Sequence, residues 1–531
     1  MPQNAAFTAA ELAEILAGTW HGEPAAEGSW EISTDSRAKL AGKCFLPLRG
    51  ERFDGHEFLA QAVAAGAAVL CCETASLAKV PENCPVPVLE VADTMKAYHA
   101  LARHHRLRFP ELKVAAVTGS VGKTTVKEML RAILIEAAGS EAAVLATAEN
   151  TNNQFGVPQN LLKLNEGHRF AVIEMGTNHP GEIAPLAHCA MPDAAVVTAI
   201  APCHLEFLGT LYGVAQEKGC VFAELPAEGT AVVPIAAPAV EALIEKAGKH
   251  RLLRFGAADS GAEITAEYLS GGLCESTIRL NLAGEVREAK LPLGGRHQAL
   301  NAAAAAAVAL ALGVTPDQIA AGLAKTAPVK MRMSEVLLHG VTYVNDAYNA
   351  NPQSMAAALD HLAGCLRAPE LVLVLGDMLE LGAFERAEHR KVLEKVKELF
   401  PEARLVTVGP RFAREASSLN GCPAILCGSA AGAARVLRGL VHPDDTVFLK
   451  GSRMMKLEEA IPGADFIPAP KPVEEAPKPV EEEKPVEPAP VEEEKPAPAV
   501  EEPAPVAEEA PAPVVEEKPA VEEEKPAPSA E

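Results

Sequence analysis

Apolar positions along the chain gather into short continuous runs, each broken by a polar or glycine-bearing turn and followed by a segment of helical spacing. VAAV at 114–117, FAVI at 170–173, AAVVTAI at 194–200, LVLVLG at 371–376, ARLVTVG at 403–409 and DTVFLKG at 445–451 are the clearest. A strand covered on both faces reads as such a run rather than as an alternation, and strands that alternate with helices argue a parallel, doubly wound sheet. The fold class expected is therefore α/β.

The runs divide the chain into blocks. Residues 1–108 read as a small α/β unit with a helix at 9–16, strands at 44–48 and 68–72 and a helix at 57–65. Residues 109–325 form a central domain with paired strands late in it and an alanine-rich helix that opens at His297 and ends at Gly313. Residues 326–466 repeat strand–loop–helix units, with strands at 341–344 and in the three runs after 370, so their polar loops should share one edge. From about 467 to 531 the composition changes to Pro, Glu, Ala, Val and Lys in recurring KPVEE and EEEKPAP units. Proline blocks helix and sheet while like charge opposes collapse, so a disordered extension is expected there.

The central block carries the strongest chemical signal. The run 114–117 breaks into Thr118, Gly119, Ser120, Val121 and Gly122 and resumes with helix-compatible residues at Lys123, Thr124 and Thr125. Strand, glycine-bearing turn and helix start aim backbone N–H groups at phosphates; Lys123 would neutralise terminal phosphates and the Thr124 hydroxyl would ligate Mg²⁺. Val117 stands where the usual phosphate-loop pattern has its first glycine. Beyond the loop, Asn150, Asn152 and Asn153 cluster before a Gly-Val-Pro turn, an arrangement that suits polar recognition and equally suits turn capping. Glu174 ends one strand run, and His204 with Glu206 follows another. Glu174 and His204 are expected at neighbouring strand ends, where with nearby Thr124 they would supply ligands for a hard cation. Lys218 falls on a helix, where a solvated lysine is the plain expectation. His297 and Asn301 share one helix face, and Asp377 and Glu380 follow a strand. Ser36 and Arg37 lie in a polar turn near a second polar loop at 49–56.

Composition narrows the class. The chain has 531 residues, 48% hydrophobic but only 4% aromatic, so its cores rest on Ala, Leu and Val. The net charge of −23 is uneven: residues 471–531 carry 19 Glu against 6 Lys, which leaves −10 on the rest. Nothing there points to nucleic-acid binding. No apolar stretch is long enough to span a bilayer, and MPQNAAFTAAELAEIL lacks a basic stretch followed by an apolar core. The 11 cysteines are scattered, without a C-x-x-C pair, which fits a reduced cytoplasm. A monomer is expected, its tail a spacer or a tether for an unidentified protein partner.

Seven motifs spread over residues 30–460 together resemble the Mur ligases of bacterial cell-wall synthesis. They are TGSVGKTTVKEM, NTNNQFGVPQNLL, EMGTNHPGEI, HLEFLGTLYGVAQEKG, NDAYNANPQSM, LGDMLELG and KGSRMM. The resemblance implies three domains: an N-terminal one for the UDP end of a substrate, a central P-loop ATPase-like one, and a C-terminal Rossmann-like one. It implies an ATP- and Mg²⁺-dependent ligase that forms an amide through an acyl phosphate. NDAYNANP and GDMLELG single out the reaction that joins D-alanyl-D-alanine to UDP-N-acetylmuramoyl-tripeptide; a D-N-P-R-type motif, expected for addition of a diaminoacid, is not found.

Carried over by resemblance, Ser36, Arg37 and the loop 50–56 hold the UDP end, and residues 119–125 cradle the ATP phosphates. Thr124 and Glu174 bind Mg²⁺, His204 a second Mg²⁺, and a carbamylated Lys218 adds a carboxylate-like ligand. Lys123, His204 and Lys218 form the catalytic set. His297 and Asn301 reach the adenine, Arg332 the phosphates and Asp346 the ribose. Asn152, Asn153, Tyr348, Asn349 and Asn351 face the substrates, the last three near the incoming dipeptide. Two other readings stay open at this point: a folylpolyglutamate-synthase-type ligase sharing the ATP core, and a P-loop nucleotide switch that ligates nothing.

Overall fold

The structure, a computed structural model, describes residues 5–50 and 53–463; the Pro/Glu-rich extension lies outside them. Three large sheets follow one another along the chain, with a two-stranded ribbon, Arg49–Gly50 and Phe53–Asp54, beside the first in sequence.

The first has six strands in the order Ala6–Thr8, Ser29–Ser33, Lys43–Phe45, Val69–Glu73, Val88–Val91, Thr19–His21, the inner four parallel and the outer two antiparallel. The strand expected at 44–48 stops at Phe45, just before Pro47, which has no N–H for a ladder. The helix expected at 57–65 is a 3-10 turn, Gly55–Phe58, running into a helix, Leu59–Ala64. The Asp54 carboxylate accepts from His56 N at 3.0 Å and holds that tighter start. Helix Ala9–Leu16 opens on a capping box between Thr8 and Glu11, as a Thr-x-x-Glu pattern dictates.

The central sheet has nine strands: Val144–Ala146, Phe170–Glu174, Lys113–Thr118, Ala194–Val197, Thr230–Pro234, Arg251–Ala257, Ile264–Gly271, Ser276–Leu282, Glu285–Leu291. Neighbours are parallel up to Ile264–Gly271, and the last two strands add a meander. The phosphate-loop strand therefore sits between the strand ending at Glu174 and the strand that leads to His204. The expectation that those two strands are neighbours is corrected: each pairs with Lys113–Thr118 instead. Helix His297–Ala311 packs on helix Lys123–Ala138. Its run Ala302–Ala307 is wholly buried, because methyl side chains allow the close approach.

The third sheet runs Ser334–Leu338, Val341–Asn345, Thr446–Lys450, Leu371–Gly376, Arg404–Val408, Ala424–Cys427. All pairs are parallel except the first, a hairpin through His339 and Gly340, whose φ of 49° and 83° suit a two-residue primed turn. The two edge strands were not read from the sequence; both expose apolar residues and neither forms a continuous buried run. No helix among the described residues is long and apolar enough to cross a membrane.

Candidate functional site

The phosphate loop is shaped by glycine and pinned by the strand beside it. Gly119 has φ of +149° and Gly122 +84°. A Cβ on Gly119 would fall 2.0 Å from Thr198 Oγ1 and against backbone behind it, and one on Gly122 would fall 2.5 Å from Asn301 Oδ1 and displace that side chain, on top of the strain of each φ. Ser120 N donates to Ala199 O at 2.8 Å, Ser120 Oγ to Ala201 O at 3.1 Å, and Thr198 Oγ1 to Val121 O at 2.5 Å. Helix Lys123–Ala138 then starts without a side-chain cap, so its first N–H groups and its dipole face the cavity. The Lys123 ammonium bends back to donate to Gly119 O at 2.8 Å; burial lowers its pKa, with Glu174 opposing that shift and Arg332 adding to it.

Glu174, at the end of its strand, is buried. Its Oε1 accepts from Asn152 Nδ2 at 2.8 Å and from Thr124 Oγ1 at 3.3 Å, while Oε2 is buried with no hydrogen-bond partner. A buried carboxylate oxygen without a donor is costly unless a cation satisfies it, and together with the Thr124 hydroxyl it is the hard-oxygen set that Mg²⁺ prefers. The residues present fit that ion. The other two expected ligands stand differently. His204 Nδ1 lies 2.7 Å from Glu380 Oε2, an ion-pair distance without hydrogen-bond alignment, which links the central segment to the loop after Leu371–Gly376. Among the described residues no three His, Cys, Asp or Glu side chains converge on one point. Lys218 is not a solvated helix lysine. It is 1% exposed, and burial, with the charge of Lys123 adding to it, pulls its pKa down to about 8. Next to it, the Glu217 carboxylate accepts from Gly181 N and Ile183 N at 2.7 and 2.8 Å, fixing the start of helix Ile183–Ala190.

Residues from the third sheet complete the wall. Arg332 Nη2 donates to Thr124 Oγ1 at 3.2 Å, and its guanidinium lies over the Tyr348 ring, 4.5 Å from the centroid. Asp346 is locked on both oxygens, by Lys450 Nζ at 2.6 Å and Met333 N at 3.2 Å. His297, pushed down to about 4 by burial, and Asn301, bonded to Gln298 at 2.9 Å, lie across from them. With Lys123, Thr124, Asn152, Glu174 and His204 they surround one cavity of about 740 Å³, which Lys218 does not line.

Several expected residues are used otherwise. Asn153 Oδ1 accepts from the N–H groups of Phe155 and Gly156, and Asn351 caps helix Pro352–Cys365 in a capping box with Ser354. Asn349 Oδ1 accepts from Ala350 N. All three line the cavity with these oxygens committed to backbone. Ser36 and Arg37 do not line it; Arg37 is exposed and paired with Asp35 at 2.9 Å, whereas Gly50 and Phe53, paired in a two-stranded ribbon within the other segment expected at the UDP end, do line it. Sequence reading assigned no role to Lys450 or Arg453. The usable signal for Lys450 was a lysine at the end of a run in a parallel sheet, where ligands collect.

Three family descriptions match in chain order: "Mur ligase family, catalytic domain" over residues 31–106, "Mur ligase middle domain" over 117–309 and "Mur ligase, glutamate ligase domain" over 331–453. The UDP-N-acetylmuramoyl-tripeptide–D-alanyl-D-alanine ligase of Escherichia coli K12 is 37% identical over 460 residues, which is 86% of this chain and 97% of that protein. A crystal structure of MurF from Acinetobacter baumannii superposes with a TM-score of 0.78 at 34% identity, covering 87% of this chain and 98% of that one. The MurF ligase of Thermotoga maritima in complex with ADP gives 0.69 at 26% identity, covering 81% and 96%. Three successive α/β units, a phosphate loop opening on their shared cavity and similarity running through nearly the whole length of these relatives lead to one conclusion: the chain belongs to the Mur ligase family.

Proposed function

We propose that the protein joins D-alanyl-D-alanine to UDP-N-acetylmuramoyl-tripeptide, converting ATP to ADP and phosphate, in the cytoplasmic synthesis of peptidoglycan precursors. The observation that carries this reading is the single cavity in which the uncapped helix start at Lys123, the partnerless Glu174 oxygen and the cationic loops of the third sheet face one another. The identity to curated ligases of that name supports the choice of substrates.

The reaction needs an electrophilic carboxyl group. The tripeptide carboxylate forms a bond to the γ-phosphorus as the bond to the β–γ bridging oxygen breaks, giving an acyl phosphate and ADP. The neutral amine of the dipeptide then attacks the carbonyl carbon, phosphate leaves with the bonding pair, and the nitrogen gives up a proton. Lys123, the first N–H groups of its helix and Arg332 disperse the charge that develops on the phosphoryl oxygens. Held by Thr124 and Glu174, Mg²⁺ would neutralise phosphate charge. The Lys218 amine, neutral in appreciable fraction near pH 8, is suited to add CO₂ and lose a proton, giving the carbamate that the family resemblance implies. No protein nucleophile is called for; the site positions two substrates and excludes water.

Phosphate release measured with each substrate omitted in turn tests the reading. Release should require both UDP-muramoyl-tripeptide and D-alanyl-D-alanine, and Lys123→Ala should abolish it while circular dichroism stays unchanged. Nucleotide hydrolysis indifferent to both substrates would overturn the proposal in favour of a nucleotide switch.

A further inference from the structure

Among the described residues four Lys or Arg side chains line the cavity, and three of them bond at the phosphate loop, at the helix start after it or to Asp346. Lys123 bonds Gly119 O within the phosphate loop. Arg332 bonds Thr124 and covers Tyr348, with its Nε buried and unpartnered beside the helix start. Lys450 is held by the carboxylate of Asp346 and the carbonyl of Asn349 at 2.6 and 3.2 Å. Arg453 differs: one of its terminal nitrogens meets Glu458 Oε1 at 2.6 Å and its side chain is half exposed. A guanidinium carries five N–H donors in a planar fork, so one such contact leaves a carboxylate-sized edge open.

The mount of Arg453 is rigid. Ser452, buried beside it, donates through its N–H to Asp377 O at 3.1 Å and accepts from Leu379 N at 2.9 Å, and Met455 N closes the turn on Ser452 O at 2.8 Å. The charge of Arg453 reaches Tyr348, where it opposes the rise that burial imposes on the phenol.

If the function proposed above holds, the second substrate brings a reacting amine at one end and a free carboxylate at the other, about 7 Å away in an extended dipeptide. A carboxylate drawn into the cavity needs a paired cation, and a planar fork reads it with two parallel bonds. We infer that Arg453 binds the terminal carboxylate of the incoming dipeptide and so sets its specificity for a free C-terminus. This rests on the ligase reading.

The test compares D-alanyl-D-alanine with its C-terminal amide as acceptor, in the full-length wild type, Arg453→Gln and Arg453→Lys, with melting temperatures checking that each variant folds. The wild type should prefer the free acid by roughly 10- to 150-fold in kcat/KM, the range of a hydrogen bond to a charged group. In Arg453→Gln the KM for D-alanyl-D-alanine should rise by a similar factor, and the preference should shrink to about twofold, the scatter between independent sites. KM for ATP and for the UDP-tripeptide should not move, and Arg453→Lys should fall between. A variant that keeps the full preference for the free acid, or one whose raised KM is for ATP or the UDP-tripeptide, overturns the assignment. Failure of the wild type to ligate D-alanyl-D-alanine at all would instead defeat the ligase reading and is seen before any variant is made.

Discussion

Asn152 Nδ2 holds one oxygen of Glu174 at 2.8 Å, and the other oxygen of that carboxylate is buried without a partner. The asymmetry separates two roles: the amide fixes the orientation of the carboxylate, and the free oxygen is left for a cation. Glu174→Gln keeps an oxygen for Asn152 but replaces the charge. The expected loss in kcat is about 10²- to 10³-fold, the range for removing one preorganised electrostatic contact. Initial rates across a Mg²⁺ titration check it. The response to Mg²⁺ should flatten, while binding of a fluorescent ATP analogue in EDTA should stay near wild type.

Gly122→Ala tests whether the loop geometry is imposed by the backbone. Its φ of +84° costs an L-residue about 1–2 kcal/mol, and the new methyl would sit 2.5 Å from Asn301 Oδ1. The expected result is a tenfold or greater rise in the Kd for ADP by calorimetry, with a stability loss of about 1–2 kcal/mol. Adding Asn301→Ala removes the collision but not the strain, so the double variant should recover only part of the affinity. Recovery to wild type would show that the collision alone mattered.

The phosphate loop was legible because strand, turn and helix start lie within one short stretch, and the chemistry of Gly119, Gly122 and Lys123 is local. The cap at Asn351 has an equally local signal, an Asn-Pro-x-Ser start, yet the sequence reading placed that residue near the dipeptide instead. The order of strands was not, because it is set by the crossovers: the phosphate-loop strand entered between the strands that carry Glu174 and lead to His204. Lys218 looked solvated because its helix carries Gln216, Glu217 and Lys218 in sequence, yet packing buries the last two. Nothing in the periodicity of Leu211–Gly219 shows which neighbour covers it. The partner of Asp346 lies 104 residues away, and no local pattern links the two.

His297 makes stability depend on pH. Burial pushes its pKa down to about 4, against about 6.5 for an open imidazole. Between those values the unfolded chain binds a proton that the folded chain refuses, so this contribution is complete above pH 6.5 and is lost as pH falls toward 4, by at most about 3 kcal/mol. In His297→Gln that part of the acid limb should vanish. Other buried histidines, such as His105 and His389, also titrate low, so the quantity to read is the difference between variant and wild type. Urea midpoints at pH 7 and pH 4.5 should show the variant gaining on the wild type as pH falls; a constant difference refutes the assignment.

Lys450 and Asp346 form an ion pair with side chains only 4% and 14% exposed, and breaking such a pair strands a buried charge. Lys450→Met should cost about 3–5 kcal/mol, because the Asp346 carboxylate is then left with Met333 N as its one remaining donor among the contacts above. Lys450→Met combined with Asp346→Asn removes both charges and should regain much of that loss, giving a coupling energy of about 1–3 kcal/mol in the double-mutant cycle. Ligation separates stability from function. If Asp346 also meets the ribose of ATP, the doubly substituted protein should be restored in stability yet keep a raised KM for ATP. Strict additivity of the two single substitutions in chemical denaturation would show that the pair, despite its 2.6 Å separation, contributes nothing that either residue lacks alone.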